Sequence, residues 1–157
     1  MIEIVEGNLL DATEDIIAHQ VNCQGVMGSG LAKQIRAKYP QVYDEYILFC
    51  NTIPLSERLG CYQIIWVEDF EAKRFNIVAN LFGQFNYGRQ NILYTDYEAL
   101  EYCLSELKEH AKEDGLSIAI PYNLGCGLAN GDWDNVVYPM IQEIFKDYGV
   151  TIYKYKG

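Results

Sequence analysis

Two apolar segments that each lead into a glycine-rich turn constrain the fold of this chain more than any other feature of its sequence. Residues 16–21 precede the turn 22–33, and residues 117–122 precede the turn 123–128. A near-continuous apolar segment of this length is typical of a strand that is covered on both faces of a sheet. Helix-like segments follow both turns. The sequence therefore predicts an α/β fold in which both turns lie at the carboxyl edge of one sheet, where such sheets bind ligands.

The first glycine turn is suited to hold an anion. Gly25, Gly28 and Gly30 lack a Cβ and tolerate positive φ, so the backbone can approach a ligand closely. The amides of such a turn point outward together, and the following helix adds partial positive charge, which favours a phosphate or pyrophosphate. The spacing matches neither the Walker pattern nor GxGxxG. From the glycines alone, a tight turn without a ligand is an equally good interpretation.

Charge and cysteine content exclude several classes of protein. With 12 basic and 22 acidic residues the formal net charge is −10, and no basic stripe is present, so binding to a bare nucleic-acid backbone is disfavoured. Five cysteines without a CxxC pair argue against a disulfide framework and a zinc ribbon, and we expect no metal and no cofactor. No apolar segment approaches the roughly 20 residues that span a bilayer. We therefore predict a reduced, cytoplasmic protein of one domain over residues 1–157 that binds no membrane; the oligomeric state stays open.

The remaining elements follow from residue periodicity and from turn signals. Thr95-x-x-Glu98 predicts a capping box for a long amphipathic helix that ends at Gly115. Asp132 or a neighbour is expected to cap a last helix that continues to Tyr148, with Pro139 as a kink. Further predicted segments are strands at 2–5, 61–67, 75–81 and 151–155, helices at 31–39 and 41–50, and a loop at 82–90 that can carry function.

Five short motifs, in this order, resemble those of macrodomains. The similarity extends across essentially the whole chain, and it is strongest to the branch with the terminal ADP-ribose protein glycohydrolase, the DNA ADP-ribosyl glycohydrolase and the yeast ADP-ribose 1″-phosphate phosphatase. The motifs are Gly7-Asn8-Leu9-Leu10, Asn22-x-x-Gly25-Val26-Met27-Gly28-x-Gly30-Leu31-Ala32, Ile120-Pro121-x-x-Leu124-Gly125-Cys126-Gly127-Leu128, Asp132-Trp133-x-x-Val136 and Ile152-Tyr153.

The resemblance implies a three-layer α/β/α macrodomain with a mixed central sheet, which binds ADP-ribose or an ADP-ribosylated molecule. The pyrophosphate is then expected between the two glycine turns, and adenine near residues 8–10, with the ring of Tyr153 against it. On this basis the expected ligand-binding residues are Asn8, Leu9, Leu10, Gly25, Val26, Met27, Gly28, Ser29, Gly30, Leu31, Asn123, Leu124, Gly125, Cys126, Gly127, Leu128 and Tyr153.

This chain departs from the glycohydrolases at the positions that carry their chemistry. The resemblance implies a lysine in the loop after strand 75–81 and an aspartate after the second glycine turn, but the chain has Phe-Gly-Gln-Phe at 82–85 and Ala129. A mechanism that needs either group is therefore not expected. His19 and Asn22 agree with the phosphatase pattern, and we predict that these two residues are catalytic.

Several assignments stay open at the level of sequence. His19 is either a core histidine or the group that orients water or protonates a ribose oxygen. Phe85, Tyr87 and Arg89 form either a flap over the distal ribose or plain loop surface. Cys23 and Cys126 have no evident paired base, so a cysteine nucleophile is not expected. The function is accordingly a hydrolase that acts on the distal ribose, a non-catalytic reader of ADP-ribose marks, or a generic nucleotide-binding regulator.

Overall fold

A computed structural model describes residues 1–155 and shows one mixed sheet of six strands between two layers of helices. The strand order is β1-β6-β5-β2-β4-β3, and every neighbouring pair is parallel except β3 with β4. This confirms the predicted three-layer α/β/α fold. The strands are β1 Ile2–Glu6, β2 Ile16–Asn22, β3 Tyr62–Asp69, β4 Arg74–Gln84, β5 Ile118–Pro121 and β6 Val150–Lys154, and the helices are α1 Gly30–Lys38, α2 Pro40–Thr52, α3 Tyr97–Asp114 and α4 Tyr138–Ile144.

Each face of the sheet has its own core. Ile16 and Ala18 of β2 pack in a cluster with α3 and α4, whereas Val21 of the same strand packs in a second cluster with α1 and α2. Because successive side chains of a strand point to opposite faces, a central strand with a layer on each side must be apolar at nearly every position. This accounts for the unbroken apolar segment at 16–21. Among residues 1–155 no helix is both long and apolar enough to cross a membrane.

The predicted capping box at Thr95 is wrong, and the cap lies one residue later. The side chain of Asp96 accepts a hydrogen bond from the amide of Ala99 at 3.0 Å, which makes Asp96 the N-cap of α3. Thr95 is buried, and its hydroxyl donates to the carbonyl oxygen of Gly125 at 2.6 Å. A carboxylate at the adjacent position caps as well as a hydroxyl, and this frees Thr95 for a tertiary contact. Helix α3 closes as predicted at Gly115, whose φ is 68°.

Two predicted boundaries also differ from the structure. The loop predicted at 82–90 begins only after Gln84, because β4 is paired with β2 as far as that residue. The last helix starts with a π-helical turn at 133–137 capped by Asp132, and α4 ends at Ile144, short of Tyr148. Pro139 is the second residue of α4 and directly follows the junction with the π-helical turn, and the kink at Pro139 stays a prediction.

Candidate ligand-binding site

The carboxyl edge of the sheet carries a cavity of about 500 Å³. Its walls come from the end of β2, the first glycine turn, the second glycine turn after β5, and the loop after β4. The structure therefore brings both glycine turns to one cavity, as the sequence predicts. Of the predicted site residues, those that line the cavity are His19, Asn22, Val26, Met27, Gly28, Ser29, Gly30, Leu31, Asn123, Leu124, Gly125, Gly127 and Leu128.

The other predicted residues lie away from this cavity wall, namely Asn8, Leu9, Leu10, Gly25, Cys126 and Tyr153. The side chain of Asn8 accepts from the amide of Leu10 at 3.0 Å and so begins a short turn. The hydroxyl of Tyr153 donates to Glu14 Oε1 at 2.6 Å. These contacts fix local structure beside the cavity, and the binding of adenine by Asn8, Leu9, Leu10 and Tyr153 stays a prediction.

The fully buried side chain of Tyr46 on α2 holds the first glycine turn from below. Its hydroxyl lies 2.7 Å from the carbonyl oxygen of Asn22, to which it donates, and it accepts from the amides of Gly25 and Val26 at 3.1 and 3.2 Å. These two amides point into the protein and not toward a ligand, which corrects the expectation that the amides of this turn point outward together. The sequence indicated Tyr46 only as a core residue of α2, since helical spacing says nothing about where a hydroxyl points.

Asn22 uses its carboxamide to shape the same turn. Nδ2 donates to the carbonyl oxygen of Val26 at 2.8 Å, and Oδ1 accepts from the amide of Gln24 at 2.9 Å. Arg58 adds a brace from the loop after α2, since its Nη1 donates to the carbonyl oxygen of Cys23 at 2.9 Å. The turn is thus fixed before any ligand arrives, and Asn22 is first of all a structural part of it.

The backbone amides at the start of α1, which follow the first glycine turn, lie at the cavity. The first amides of a helix have no partner within the helix, and Ser29, at the N-cap position of α1, makes no side-chain cap to them. Ser29, Gly30, Leu31 and Ala32 all line the cavity. This end of α1 therefore offers N–H donors and partial positive charge to a ligand.

A partly buried polar network supports the second glycine turn. The Nε2 of Gln20 donates to Gln84 Oε1 at 2.8 Å and to Thr95 Oγ1 at 2.9 Å, and the Thr95 hydroxyl in turn reaches Gly125. Gly125 adopts a φ of 72° and needs to be glycine for that reason. Gly131 packs so closely that a Cβ there would overlap the carbonyl oxygen of Gly125. No periodic signal in the sequence points to Gln20 or Gly131, so neither residue is among the predicted site residues.

The loop after β4 forms the third wall and bridges the two turns. The Nη2 of Arg89 lies 3.5 Å from Ser29 Oγ in the first turn, and Asn130 Nδ2 donates to the carbonyl oxygens of Gln90 and Ile92 at 3.0 and 2.6 Å. Tyr87 and Arg89 line the cavity and Phe85 does not. Two of the three residues proposed for a flap therefore lie where a ligand would be.

Within the described residues of the cavity wall, Arg89 is the one permanently charged side chain, and no carboxylate lines it. None of the ion pairs in residues 1–155 involves Arg89. In a chain with a net charge of −10, a cavity with an unpaired guanidinium and helix-end amides is locally suited to an anion.

His19 is both a core residue and a wall residue. Its side chain is 1% exposed, it lines the cavity, and its Nε2 lies 2.6 Å from Asn80 Oδ1. Burial lowers the pKa of His19 to about 4, and the hydrogen bond with Asn80 only partly opposes this shift. The imidazole is therefore neutral at pH 7 and is no proton donor of the imidazolium type.

The remaining candidate groups are not reactive in this environment. Burial raises the pKa of Cys23 and of Cys126 to about 12, so both are protonated thiols at neutral pH and are poor nucleophiles. Among residues 1–155 no three His, Cys, Asp or Glu side chains lie close enough together to hold a metal ion.

Comparison with known proteins identifies a matching family model and several similar proteins and structures. The model of the Macro domain family matches residues 18–140. The chain is 25% identical over 175 aligned positions to the ADP-ribose 1″-phosphate phosphatase of Meyerozyma guilliermondii, covering 98% of this chain and 97% of the relative. The macrodomain of Thermus aquaticus DarG superposes with a TM-score of 0.75 at 27% identity, covering 100% and 99% of the two chains. Thermosipho africanus DarTG in complex with ADP-ribose superposes with a TM-score of 0.80 at 22% identity, covering 98% of this chain and 41% of that one.

Proposed function

This chain belongs to the Macro domain family, and from that premise we propose that it binds ADP-ribose in the cavity between its two glycine turns. The observation that carries the proposal is the cavity itself. Its volume of about 500 Å³ lies in the range of small-molecule sites, and its walls combine apolar side chains with a few convergent polar groups. A structure with the same fold, that of Thermosipho africanus DarTG, holds ADP-ribose, which supports this ligand.

The pyrophosphate is assigned to the space between the turns. The free amides at the start of α1 favour an anion there, and the left-handed residues Asn123 and Gly125 shape the opposite turn. Arg89 stands on the third wall, where it can meet a further negative charge on the ligand. A small anionic ligand held by amides also agrees with the acidity of the chain as a whole.

We further propose that the protein hydrolyses a phosphate or an ester from the distal ribose. The resemblance to the yeast phosphatases over almost the entire chain supports this activity, and the absence of a lysine at 82–85 and of a carboxylate at residue 129 argues against the glycohydrolase route. In the phosphatase case, water adds to phosphorus, the bond from phosphorus to the oxygen on C1″ breaks, and ADP-ribose and inorganic phosphate leave. Fixed amides and the Arg89 guanidinium would stabilise the charge on the transferred group.

A second candidate, a reader that binds ADP-ribose without turnover, is favoured by one observation. The two residues predicted as catalytic are both engaged in internal hydrogen bonds: Asn22 within its turn, and His19, which is neutral, with Asn80. A site of this kind holds a ligand firmly but has few groups left to move a proton.

Calorimetry with ADP-ribose tests the binding that both candidates share. We expect saturable binding by the full chain, and we expect ADP-ribose to compete with ADP-ribose 1″-phosphate. A flat titration at high micromolar ligand would remove both candidates.

Phosphate release then separates the enzyme from the reader. We expect the chain to release phosphate from ADP-ribose 1″-phosphate, and we expect the His19→Ala variant to be slower. His110→Ala is the matched control, because His110 lies on α3 away from the cavity. Binding without turnover of phosphate or ester substrates would establish the reader.

A further inference from the structure

The side chains of His19, Asn80 and Gln63 form a chain of hydrogen bonds across three neighbouring strands. His19 on β2 is in register with Asn80 on β4, and Asn80 is in register with Gln63 on β3. The contacts are His19 Nε2 to Asn80 Oδ1 at 2.6 Å, Asn80 Nδ2 to Gln63 Oε1 at 3.0 Å, and Gln63 Nε2 to the backbone carbonyl oxygen of Glu45 at 3.1 Å.

The hydrogen bond to the carbonyl oxygen of Glu45 fixes the direction of the other hydrogen bonds in this series. The carbonyl oxygen of Glu45 can only accept, so Gln63 must present its NH₂ group to it and its oxygen to Asn80. Asn80 must then donate to Gln63 through Nδ2, which leaves Oδ1 facing His19. Because Oδ1 can only accept, His19 must donate from Nε2.

This direction determines which nitrogen of His19 carries a lone pair. A neutral imidazole has one N–H, and here it is on Nε2, so Nδ1 is an acceptor. Nδ1 is buried, and no group among the described residues bonds to it. Burial of an acceptor without a partner is unfavourable. His19 lines the ligand cavity, and because Nδ1 itself is buried, a donor from the cavity contacts it only after a small displacement of the cavity wall.

We propose that Asn80 is a positioning residue that fixes the Nε2–H tautomer of His19, so that Nδ1 serves as a hydrogen-bond acceptor for a hydroxyl of the ligand or for a water molecule that the ligand holds. The part that concerns the ligand rests on the proposed binding of ADP-ribose, whose ribose rings supply such hydroxyls. His19 is then neither a general acid nor an ordinary core histidine: it selects a ligand that donates at this point. The low pKa of His19 agrees with this role, because the ring stays neutral over the whole neutral range.

Nitrogen NMR of the ligand-free chain tests the tautomer directly. The chain has two histidines, so His110→Ala and His19→Ala variants assign the signals. We expect a protonated Nε2 and an unprotonated Nδ1 for His19. A protonated Nδ1, or a mixture of the two tautomers, would overturn the proposal whether or not ADP-ribose binds.

Two substitutions at Gln63 test whether the chain of bonds sets the tautomer. In the Gln63→Lys variant the ammonium group only donates, so Asn80 is expected to turn its oxygen outward and to present Nδ2 to His19, which moves the proton to Nδ1. In the matched Gln63→Glu variant the carboxylate only accepts, so the original direction is kept. Gln63 is only half-buried, so both variants are expected to fold. Identical His19 spectra in the two variants would contradict the role of Asn80.

The contact with the ligand has its own readout. On addition of ADP-ribose we expect the Nδ1 resonance to shift as it does when an acceptor gains a hydrogen-bond donor. We also expect Asn80→Ala to weaken ADP-ribose binding roughly tenfold, which is the effect of one lost hydrogen bond. Asn76→Ala is the control, since Asn76 is buried on the same face of β4 but bonds to Tyr39 and Asp69. Binding of ADP-ribose by calorimetry with an unchanged Nδ1 resonance would overturn the ligand contact, whereas failure to bind at all would remove the proposed function and leave the tautomer result standing.

Discussion

At the scale of single residues, the cavity depends on side chains whose polar atoms are committed to the protein before a ligand binds. The Tyr46 hydroxyl occupies the amides of Gly25 and Val26, and the carboxamide of Asn22 closes the same turn on itself. Arg89 is the contrasting case, since its guanidinium forms no ion pair within residues 1–155. Residues of the first kind set the shape of the cavity, and Arg89 is the charged side chain on its wall that forms no ion pair.

Removal of the Tyr46 hydroxyl tests the residues that hold the first glycine turn in shape. Tyr46→Phe removes the acceptor of two partly buried amides, so we expect a loss of about 1–3 kcal/mol in the free energy of unfolding and weaker binding of ADP-ribose. Urea denaturation and calorimetry measure the two effects. Tyr43→Phe is the control. It also removes one tyrosine hydroxyl, but it keeps the ring of residue 43, which packs on the Arg36 guanidinium. Equal stability of the two variants would show that the hydroxyl of Tyr46 does not support the turn.

The charge of Arg89 makes a separate prediction about ligand choice. Arg89→Ala is expected to weaken binding of ADP-ribose 1″-phosphate by about tenfold or more, the usual effect of one lost hydrogen bond to a charged group, and to change ADP-ribose binding less. Competition binding with both ligands gives the ratio, and Arg89→Lys should recover part of it. A ratio that stays the same in Arg89→Ala would place the extra phosphate away from this loop.

At the scale of elements, the two glycine turns hold their shapes in different ways. The first is tied from below by α2, whereas the second relies on close backbone contact and on the buried hydroxyl of Thr95. A cavity between two such turns needs both to keep their conformation within a fraction of an ångström. The second turn is therefore sensitive to added side-chain volume at particular glycines.

Gly131→Ala is expected to destabilise the protein by about 1–3 kcal/mol, because the new Cβ would overlap the carbonyl oxygen of Gly125 and the turn would have to shift. Gly127→Ala is the matched control in the same turn, since a Cβ there meets nothing within 4 Å, and we expect its stability to change by less than about 0.5 kcal/mol. Thermal or urea denaturation compares the two. If both variants unfolded at the same midpoint, the close approach of Gly131 to Gly125 would not contribute to the free energy of unfolding.

The sequence predicted the elements whose residue pattern is local. The apolar segment of β2 indicated a strand with both faces covered, and the spacing of leucines along α3, with Gly115 at its end, indicated that helix. It could not choose between Thr95 and Asp96 as the cap, because both side chains can cap and only the position of Gly125 decides. It also could not place polar partners that meet from distant strands, such as Asn80 and His19, since no local pattern encodes them.

At the scale of the whole molecule, burial of His19 couples its protonation to folding. The pKa of His19 is about 4 in the folded chain against an ordinary value of 6.5, so the unfolded chain binds the proton more tightly. The contribution of His19 to stability is complete above about pH 6.5 and is lost as the pH falls toward 4. The difference in pKa corresponds to about 3 kcal/mol at most.

Unfolding measured at several pH values checks this coupling. Between pH 6.5 and pH 4 we expect the wild-type chain to lose more stability than His19→Gln does, because glutamine has no proton to bind. His110→Gln is the matched control for the substitution itself, since His110 is half-buried on α3 and lies outside the cavity wall. Parallel stability curves for the wild type and His19→Gln would mean that the ring is not buried in the manner described.

The pairing of β1 with β6 has a consequence for the order of events during biosynthesis. β1 is an edge strand whose neighbour in the sheet is β6, with Ile2 beside Val150. β1 is synthesised before β6, and it finds this hydrogen-bonding partner only when the segment after Gly149 has emerged. Contacts this distant in sequence slow folding, so the nascent chain carries β1 without its neighbour until β6 has emerged. The emergence of β6 thus determines when this edge of the sheet can be completed.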